Sequence, residues 1–142
     1  MNVMIVDDQR SSLVLLGKLV ELSGGTPFAF LDPAEALRQA QSLVFDLALV
    51  DYRMPAMDGL SFIKMLRALP ETCDIPVLMV TVEDTEEVSK AAVAAGASGL
   101  VGKPVDPSEL MDRCRSFARQ NRDELRGQSH DSGQLRVHVV GL

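Results

Sequence analysis

Short apolar runs alternate along the chain with longer stretches in which apolar residues recur at helical spacing. The runs are rich in β-branched residues and almost uninterrupted, as in strands that are covered on both faces of a sheet. Five strand–helix repeats favour a parallel sheet with helices on both sides, so we predict an α/β fold. The predicted strands are residues 3–6, 27–31, 47–50, 76–80 and 99–101.

Capping residues mark the ends of several predicted helices. The first helix stops at the Ser-Gly-Gly of residues 23–25, and Asp32 with the proline after it opens the second. The Asp-Gly pair at 58–59 predicts a turn and a cap for the third helix, Gly96 closes the fourth, and Asp106 opens the fifth. The last four helices are predicted at residues 34–43, 60–69, 86–95 and 107 to about 121.

One domain accounts for residues 1–121, and the remainder has a different composition. A chain of 142 residues suits a single domain that buries about two-thirds of its unfolded surface. Residues 122–142 include a polar stretch with Gly, Ser and His, which is typical of a linker or flexible tail. Apolar and polar residues alternate briefly at 135–140. Three interpretations of this run stay open: a docking strand, the start of a further domain, or residues foreign to the domain.

Charge and cysteine content exclude several classes of protein. With 14 basic and 20 acidic residues and a net charge of −6, the chain has no basic stripe for direct nucleic-acid binding. Cys73 and Cys114 lack the spacing of a disulfide framework or a zinc site and fit a reducing compartment. Acidic residues at positions 7–8 argue against a signal peptide or a membrane span. We therefore expect a cytoplasmic domain without membrane contact.

Polar residues stand where the predicted strands end. Asp7 and Asp8 follow the first strand, and Asp51 follows the third. Thr81 comes directly after the fourth strand, and Lys103 lies just beyond the fifth. Because function in an open parallel sheet sits outside the carboxyl ends of the strands, we expect these five side chains to converge on one cleft.

This set of residues suits phosphoryl transfer. Crowded carboxylates favour a hard divalent cation, so Asp7, Asp8 and Asp51 are candidate ligands of Mg²⁺. Asp51 can also attack a phosphoryl group and form an acyl phosphate. Mg²⁺, Lys103 and the Thr81 hydroxyl would then meet the negative charge on the equatorial oxygens of the transferring group.

Five motifs resemble the receiver domain of two-component response regulators, of which chemotaxis-type receivers are the simplest form. The resemblance covers residues 1–121 and implies a flavodoxin-like, doubly wound fold with five helices and strand order 2-1-3-4-5. The motifs are VDD at 6–8, DYRMPAMDG at 51–59, VTVE at 80–83, AAGASG at 94–99 and KP at 103–104.

The resemblance implies a phospho-acceptor and a set of metal ligands. Asp51 would take a phosphoryl group from a histidine kinase or a phosphotransfer protein. Asp7, Asp8 and Asp51 would hold Mg²⁺ together with the backbone carbonyl of Arg53.

It also implies the residues that respond to phosphorylation. Thr81 and Lys103 would act as catalytic, phosphate-sensing partners, and the peptide bond before Pro104 would be cis. The protein would be a signalling switch in a phosphorelay rather than an enzyme, with no chemistry beyond its own phosphorylation and dephosphorylation.

Two residues depart from the family pattern, and two others beside the predicted cleft carry opposite charges. Leu100 stands at the switch position where the family has an aromatic residue, and it lacks a ring hydroxyl. Val82 is bulkier than the small residue that usually follows the threonine. Arg53 and Glu83 flank the cleft with opposite charges, and our hypothesis is that they pair across its mouth and slow attack of water on the acyl phosphate.

The fourth helix, fifth strand and fifth helix form the face that the family commonly uses for dimerisation or output. An ordinary solvated face is an equally good interpretation. The candidate charge complements on this face are Glu86, Glu87 and Lys90 on one side and Asp112, Arg113, Arg115 and Arg119 on the other.

Several alternatives stay open at the level of sequence. The alternative role of Asp7, Asp8 and Thr81 is to cap helices, since residues of these types are common N-caps. The alternative interpretation of Lys103 is an ordinary surface lysine. A haloacid-dehalogenase-type phosphatase or a flavin-binding protein are competing functions. A third alternative is a receiver fragment of a larger regulator with an output domain such as a cyclic-di-nucleotide phosphodiesterase.

Overall fold

Five strands and five helices alternate along residues 1–128, the part of the chain that the computed structural model describes, with side chains described for residues 1–120. No helix within this part is both long and apolar enough to cross a membrane. The elements are β1 (Asn2–Val6), α1 (Arg10–Leu22), β2 (Thr26–Phe30), α2 (Pro33–Gln39), β3 (Leu47–Asp51), α3 (Gly59–Ala68), β4 (Val77–Thr81), α4 (Glu86–Ala95), β5 (Gly99–Gly102) and α5 (Pro107–Gln128).

The strands form one parallel sheet in the order β2-β1-β3-β4-β5, which confirms the doubly wound α/β fold. One apolar cluster packs α2, α3 and α4 against one face of the sheet. The other cluster packs α1 and α5 against the opposite face. Because the strand order reverses beside β1, a crevice is expected at the carboxyl ends of β1 and β3.

Burial separates the central strands from the edge strand β2. Every residue of β3 and of β4 is buried, as expected for strands with helices on both faces. Thr26 and Ala29 of β2 are exposed, so the prediction of full coverage is wrong for this strand. The reason is its place in the sheet, because β2 has a neighbouring strand on one side only.

Helix caps follow the sequence signals. The Asp32 carboxylate accepts a hydrogen bond from the backbone N–H of Ala34 at 2.9 Å, and Asp106 accepts one from Ser108 at 3.0 Å. Gly96 ends α4 with a φ of 114°, the left-handed conformation that glycine adopts without strain. The predicted starts of α2 and α5 and the end of α4 are thereby confirmed.

Two helix ends differ from prediction. α2 ends at Gln39 rather than at residue 43. Two of the backbone bonds that follow, from Gln41 to Arg38 and from Ser42 to Gln39, join residues three apart and tighten the chain into a turn. α5 continues past residue 121 to Gln128, since residues 122–126 contain no glycine or proline. The domain boundary at 121 remains a prediction, and the alternating run at 135–140 lies outside the described residues.

Arg67, near the end of α3, joins three parts of the fold. Its Nε and Nη2 donate to the carbonyl of Gly96 at 3.0 and 2.8 Å, which ties the end of α4 to α3. Its Nη1 donates to Ile75 at 2.6 Å, and to Thr72 and Cys73 at 3.2 and 3.3 Å, just before β4. Burial lowers the pKa of this guanidinium. One side chain therefore fixes the ends of α3 and α4 against the start of β4.

We predict that Arg67→Gln lowers the free energy of unfolding by about 2–3 kcal/mol, because several part-buried carbonyls lose a charged donor. Urea denaturation followed by circular dichroism measures this change. The matched control is Arg38→Gln, whose guanidinium pairs with Glu35 on an exposed helix face and should change stability by less than about 0.5 kcal/mol. Equal effects of the two substitutions would contradict the role assigned to Arg67.

Candidate active site

Four strands carry the predicted site residues to one edge of the sheet. Asp7 follows β1, Asp51 ends β3, Thr81 ends β4, and Lys103 follows β5. The backbone N–H of Lys103 donates to the Thr81 carbonyl at 2.8 Å, which continues the β4–β5 pairing into the site. The structure thus brings together residues that are nearly a hundred positions apart in sequence.

The Lys103 ammonium lies between two carboxylates. Its Nζ is 3.0 Å from an Asp7 oxygen and 3.1 Å from an Asp51 oxygen. The Asp7 and Asp51 side chains are only 1% and 9% exposed, so both ion pairs are shielded from water. Attraction between these charges is stronger here than on the protein surface.

Asp8 completes a cluster of three carboxylates. One oxygen each of Asp7, Asp8 and Asp51 lies within 4.8 Å of the others, and Asp8 is exposed. Three carboxylates with a single ammonium, which contacts two of them, leave excess negative charge, and their hard oxygen donors match the preference of Mg²⁺. The residues therefore fit the metal that the family resemblance implies, with Asp8 on the solvent side.

Asp7 does not cap α1. Its Oδ1 accepts the backbone N–H of Gln9 at 2.9 Å, which fixes the carboxylate in a local turn. Gln9 is the N-cap residue of α1 and makes no side-chain capping bond. The carboxylate of Asp7 is thus oriented toward the cluster rather than used to begin the helix.

Burial and charge shift two pKa values in the site. Burial raises the pKa of Asp51 above its ordinary value, with the Asp7 charge adding to the rise and the Lys103 hydrogen bond opposing it. Burial also disfavours the Lys103 ammonium, but its hydrogen bonds to Asp7 and Asp51 prevail and raise its pKa. Lys103 is therefore charged at neutral pH, while the Asp51 carboxylate is held at a cost in free energy.

Thr81 is buried beside this cluster. It is 2% exposed, and its Oγ1 accepts the backbone N–H of Glu83 at 2.9 Å. The hydroxyl hydrogen is then available for donation to a further acceptor. The N-cap of α4 is Thr85, whose Oγ1 accepts from Val88 at 3.2 Å, so the interpretation of Thr81 as the cap of α4 is wrong.

Arg53 and Glu83 pair, as the sequence analysis expected. Arg53 Nε and Nη2 donate to the two carboxylate oxygens of Glu83 at 2.5 and 2.9 Å. The Arg53 guanidinium also lies 4.6 Å from the centre of the Tyr52 ring, a cation–π contact that sequence reasoning missed. The hydrogen bond from Arg53 lowers the pKa of Glu83. Val82, between Thr81 and Glu83, is 70% exposed.

β5 holds the remaining predicted residues. Leu100 is partly buried against the apolar cluster that includes α3 and α4. Its carbonyl accepts a hydrogen bond from Arg113 Nη1 of α5 at 2.8 Å. The peptide bond between Lys103 and Pro104 is cis, as the resemblance implied.

Charges on the face formed by α4, β5 and α5 differ from the expected pattern. Arg113 was expected among the complementary charges of this face, but its guanidinium is bound to β5 within the chain. The ion pairs found on α4 and α5 in the described residues lie within one helix each. They join Lys90 to Glu86 at 3.3 Å and Arg115 to Asp112 at 3.6 Å.

The loop after β3 contains a close approach that sequence reasoning also missed. The backbone N–H of Gly59 donates to the Tyr52 carbonyl at 2.8 Å. Asp58 caps α3 as predicted, accepting from Ser61 at 2.8 Å. From the sequence, Gly59 was expected only as part of the turn and cap at residues 58–59.

A doubly wound parallel sheet with an acidic cluster and a lysine at its carboxyl edge defines the class of open α/β domains whose ligands bind at that edge. Within this class, the sequence profile described as response regulator receiver domain matches residues 3–115. The chain therefore belongs to the family of response regulator receiver domains and is a receiver domain of a two-component response regulator. This membership removes the phosphatase and flavin-binding alternatives.

Solved structures and curated relatives agree with the family. The chemotaxis protein CheY4 of Vibrio cholerae is 31% identical with a TM-score of 0.78, and the match covers 82% of this chain and 97% of that one. The cyclic di-GMP phosphodiesterase response regulator RpfG of Xanthomonas campestris is 39% identical over 136 residues, 94% of this chain and 35% of that protein. The phosphate regulon transcriptional regulatory protein PhoB of Klebsiella pneumoniae is 31% identical over 84% of this chain and 52% of its own length. The chain thus spans between about a third and half of these two curated relatives.

We predict that Asp51→Asn, in metal-free buffer, raises the free energy of unfolding by about 1 kcal/mol at about pH 7, because it removes a buried carboxylate from a cluster with excess negative charge. The pKa of Asp51 is higher in the folded state than in the unfolded state. The charged carboxylate therefore lowers the stability of the fold at pH values above the folded-state pKa, and this loss disappears below the ordinary pKa of an aspartate. The gain should therefore vanish as the pH falls to about 3.

Urea unfolding across this pH range tests the prediction. Asp58→Asn is the control, because asparagine caps a helix as well as aspartate and this exposed residue lies outside the cluster. A gain from Asp51→Asn that is independent of pH, or a loss at neutral pH, would contradict the assignment.

Proposed function

We propose that Asp51 is the phospho-acceptor, with Mg²⁺ held by the carboxylates of Asp7, Asp8 and Asp51 and by the backbone carbonyl of Arg53. The observation that carries the proposal is the Lys103 ammonium within 3.1 Å of Asp51, beside three carboxylate oxygens that lie within 4.8 Å of one another. The phosphoryl donor is a histidine kinase or a phosphotransfer protein, the class of partner with which receiver domains interact.

Asp51 acts as the nucleophile. Its carboxylate oxygen attacks the phosphorus of the donor phosphohistidine, the P–N bond breaks, and the imidazole leaves with the electron pair while an acyl phosphate forms. Bound Mg²⁺ supplies positive charge to the phosphoryl oxygens. Burial of Asp51 keeps its carboxylate poorly hydrated, which leaves it reactive.

Lys103 and Thr81 respond to the negative charge of the phosphoryl group on Asp51. The Lys103 ammonium already lies between Asp7 and Asp51, so a phosphoryl group on Asp51 offers it oxygens in place of the carboxylate. Thr81 is buried at the end of the neighbouring strand and has a hydroxyl hydrogen to donate. Both residues would shift toward the phosphoryl group, and Leu100 would follow as the switch residue of β5.

The conformational change is transmitted from the site to α4. The Thr81 hydroxyl is bonded to the backbone of Glu83, in the segment that leads into α4. In α4 only Ala92 and Ala95 are buried, and in its first half Val88 is the residue packed, partly buried, against the apolar cluster, so this half is only lightly anchored. We assign output, through a second copy of the chain or an effector, to the face formed by α4, β5 and α5.

The alternative is a receiver that belongs to a larger regulator with a cyclic-di-nucleotide phosphodiesterase domain. The similarity to RpfG favours it, because this chain matches only 35% of that protein. In either case the receiver itself is a switch. A cytoplasmic location is supported by the exposed free thiol of Cys73, and the net charge of −6 supports the absence of direct nucleic-acid contact.

We predict that incubation with Mg²⁺ and acetyl phosphate adds one phosphoryl group to the chain, measured by intact mass. Asp51→Asn should abolish the addition because it removes the nucleophile. The control Asp58→Asn keeps all the cluster residues and should be phosphorylated like the natural chain. Unchanged phosphorylation of Asp51→Asn would show that the acceptor lies elsewhere.

We predict that Arg53→Ala shortens the lifetime of the phosphorylated form about three- to tenfold, which corresponds to about 1 kcal/mol in the barrier to hydrolysis. The reason is that the bond to Glu83 joins two segments across the mouth of the cleft, and its loss admits water. Glu83→Ala should act in the same direction.

Decay of the phosphorylated chain after removal of the donor gives the lifetime, again by intact mass. Arg38→Ala, which breaks an exposed ion pair on α2, serves as the control and should have no effect. A lifetime that is the same in Arg53→Ala and in the natural chain would refute the hypothesis.

A further inference from the structure

The start of α3 lies directly against the backbone that carries Asp51. Gly59 is the first residue of α3 and is buried. A Cβ at this position would lie 2.5 Å from the Asp51 carbonyl oxygen, 3.0 Å from Tyr52 Cα and 3.2 Å from the Asp51 carbonyl carbon. Ordinary contacts between such atoms are about 3.5–4.0 Å. Any side chain at residue 59 would therefore displace the end of β3 or the start of α3.

Residue 59 must be glycine because there is no room for a side chain, and not because its backbone has an unusual conformation. Gly59 has a helical conformation, and glycine is a poorer helix former than alanine. The cap of α3 is provided by the Asp58 side chain, so Gly59 is not needed for capping. All three atoms near its missing Cβ belong to the backbone and cannot rotate away as a side chain would.

A hydrogen bond uses the closeness that glycine permits. The Gly59 N–H donates to the Tyr52 carbonyl at 2.8 Å, while the Tyr52 N–H donates to Val80 of β4 at 3.2 Å. Tyr52 is thus held from both sides, by α3 and by β4. Because the Tyr52 carbonyl shares one planar peptide unit with the Arg53 N–H, the bond from Gly59 also sets the orientation of the backbone entering Arg53.

We infer that Gly59 is a positioning residue for the metal site, acting through the backbone of residues 51–53. It constrains the backbone that carries Asp51 and leads into Arg53, two residues that supply ligands under the proposed function, on which this inference rests. Groups that orient ligands affect metal affinity without touching the metal. Gly59 therefore contributes to Mg²⁺ binding although it has no side chain.

The test is calorimetric titration of Mg²⁺ into the unphosphorylated protein. Gly59→Ala should weaken Mg²⁺ binding about tenfold or more, as loss of a ligand-orienting contact does. The matched control is Gly17→Ala in α1, where a new Cβ would meet nothing closer than Pro27 at 3.8 Å, and the affinity should stay within about twofold of the natural chain.

A second variant separates positioning from simple loosening of α3. Asp58→Ala removes the helix cap without adding an atom against β3, so it lowers stability but should leave Mg²⁺ affinity within about twofold. Equal weakening by Asp58→Ala and Gly59→Ala would overturn the inference. Unchanged affinity in Gly59→Ala would overturn it too, while absence of Mg²⁺ binding by the natural chain would overturn the proposed function together with it.

Amide exchange of the natural chain keeps the inference testable if Gly59→Ala does not fold. Mg²⁺ binds the arrangement that the Gly59–Tyr52 bond maintains, so near-saturating Mg²⁺ should slow exchange of the Gly59 N–H about tenfold or more. Exchange of this N–H at the same rate with and without Mg²⁺, measured by nuclear magnetic resonance, would overturn the inference.

Discussion

The site depends on one shared ammonium. Lys103 is 96 positions from Asp7 and 52 positions from Asp51, yet its Nζ lies 3.0–3.1 Å from both carboxylates. Without this cation, two buried carboxylates and their neighbour Asp8 would repel one another at close range. With it, the cluster still carries excess negative charge. Under the proposed function, this charge balance lets a divalent cation bind, and a phosphoryl group on Asp51 would be an alternative partner for Lys103.

The sheet brings the site residues together, and the helices around it are held to different degrees. Parallel pairing carries the ends of β1, β3, β4 and β5 to one edge. Arg67 fixes the C-terminal end of α4, whereas the first half of that helix has few buried residues. A fixed end and a lightly packed start would suit the change in α4 that the proposed function assigns to movement of Thr81.

Sequence patterns predicted the parts of the structure that depend on short stretches of chain. The short apolar runs between the helical stretches predicted the strands, and the polar residues at the strand ends predicted the acidic cluster. The strand order was predicted from the family resemblance. Arg67, Arg113 and Gly59 were not predicted in their roles. Arg67 and Arg113 bind backbone carbonyls, and Gly59 lies close to the backbone of residues 51 and 52. Backbone groups are the same in every sequence, so the sequence does not mark these contacts. The length of α5 was missed because helix formers continue beyond residue 121.

The most direct test of the shared charge balance is the number and affinity of Mg²⁺ ions that the natural chain takes up, compared with Asp7→Asn by calorimetry. We expect one ion for each chain, and a Mg²⁺ affinity lower by about tenfold or more when Asp7 loses its charge. Uptake that is absent from the natural chain, or equally tight in Asp7→Asn, would contradict it.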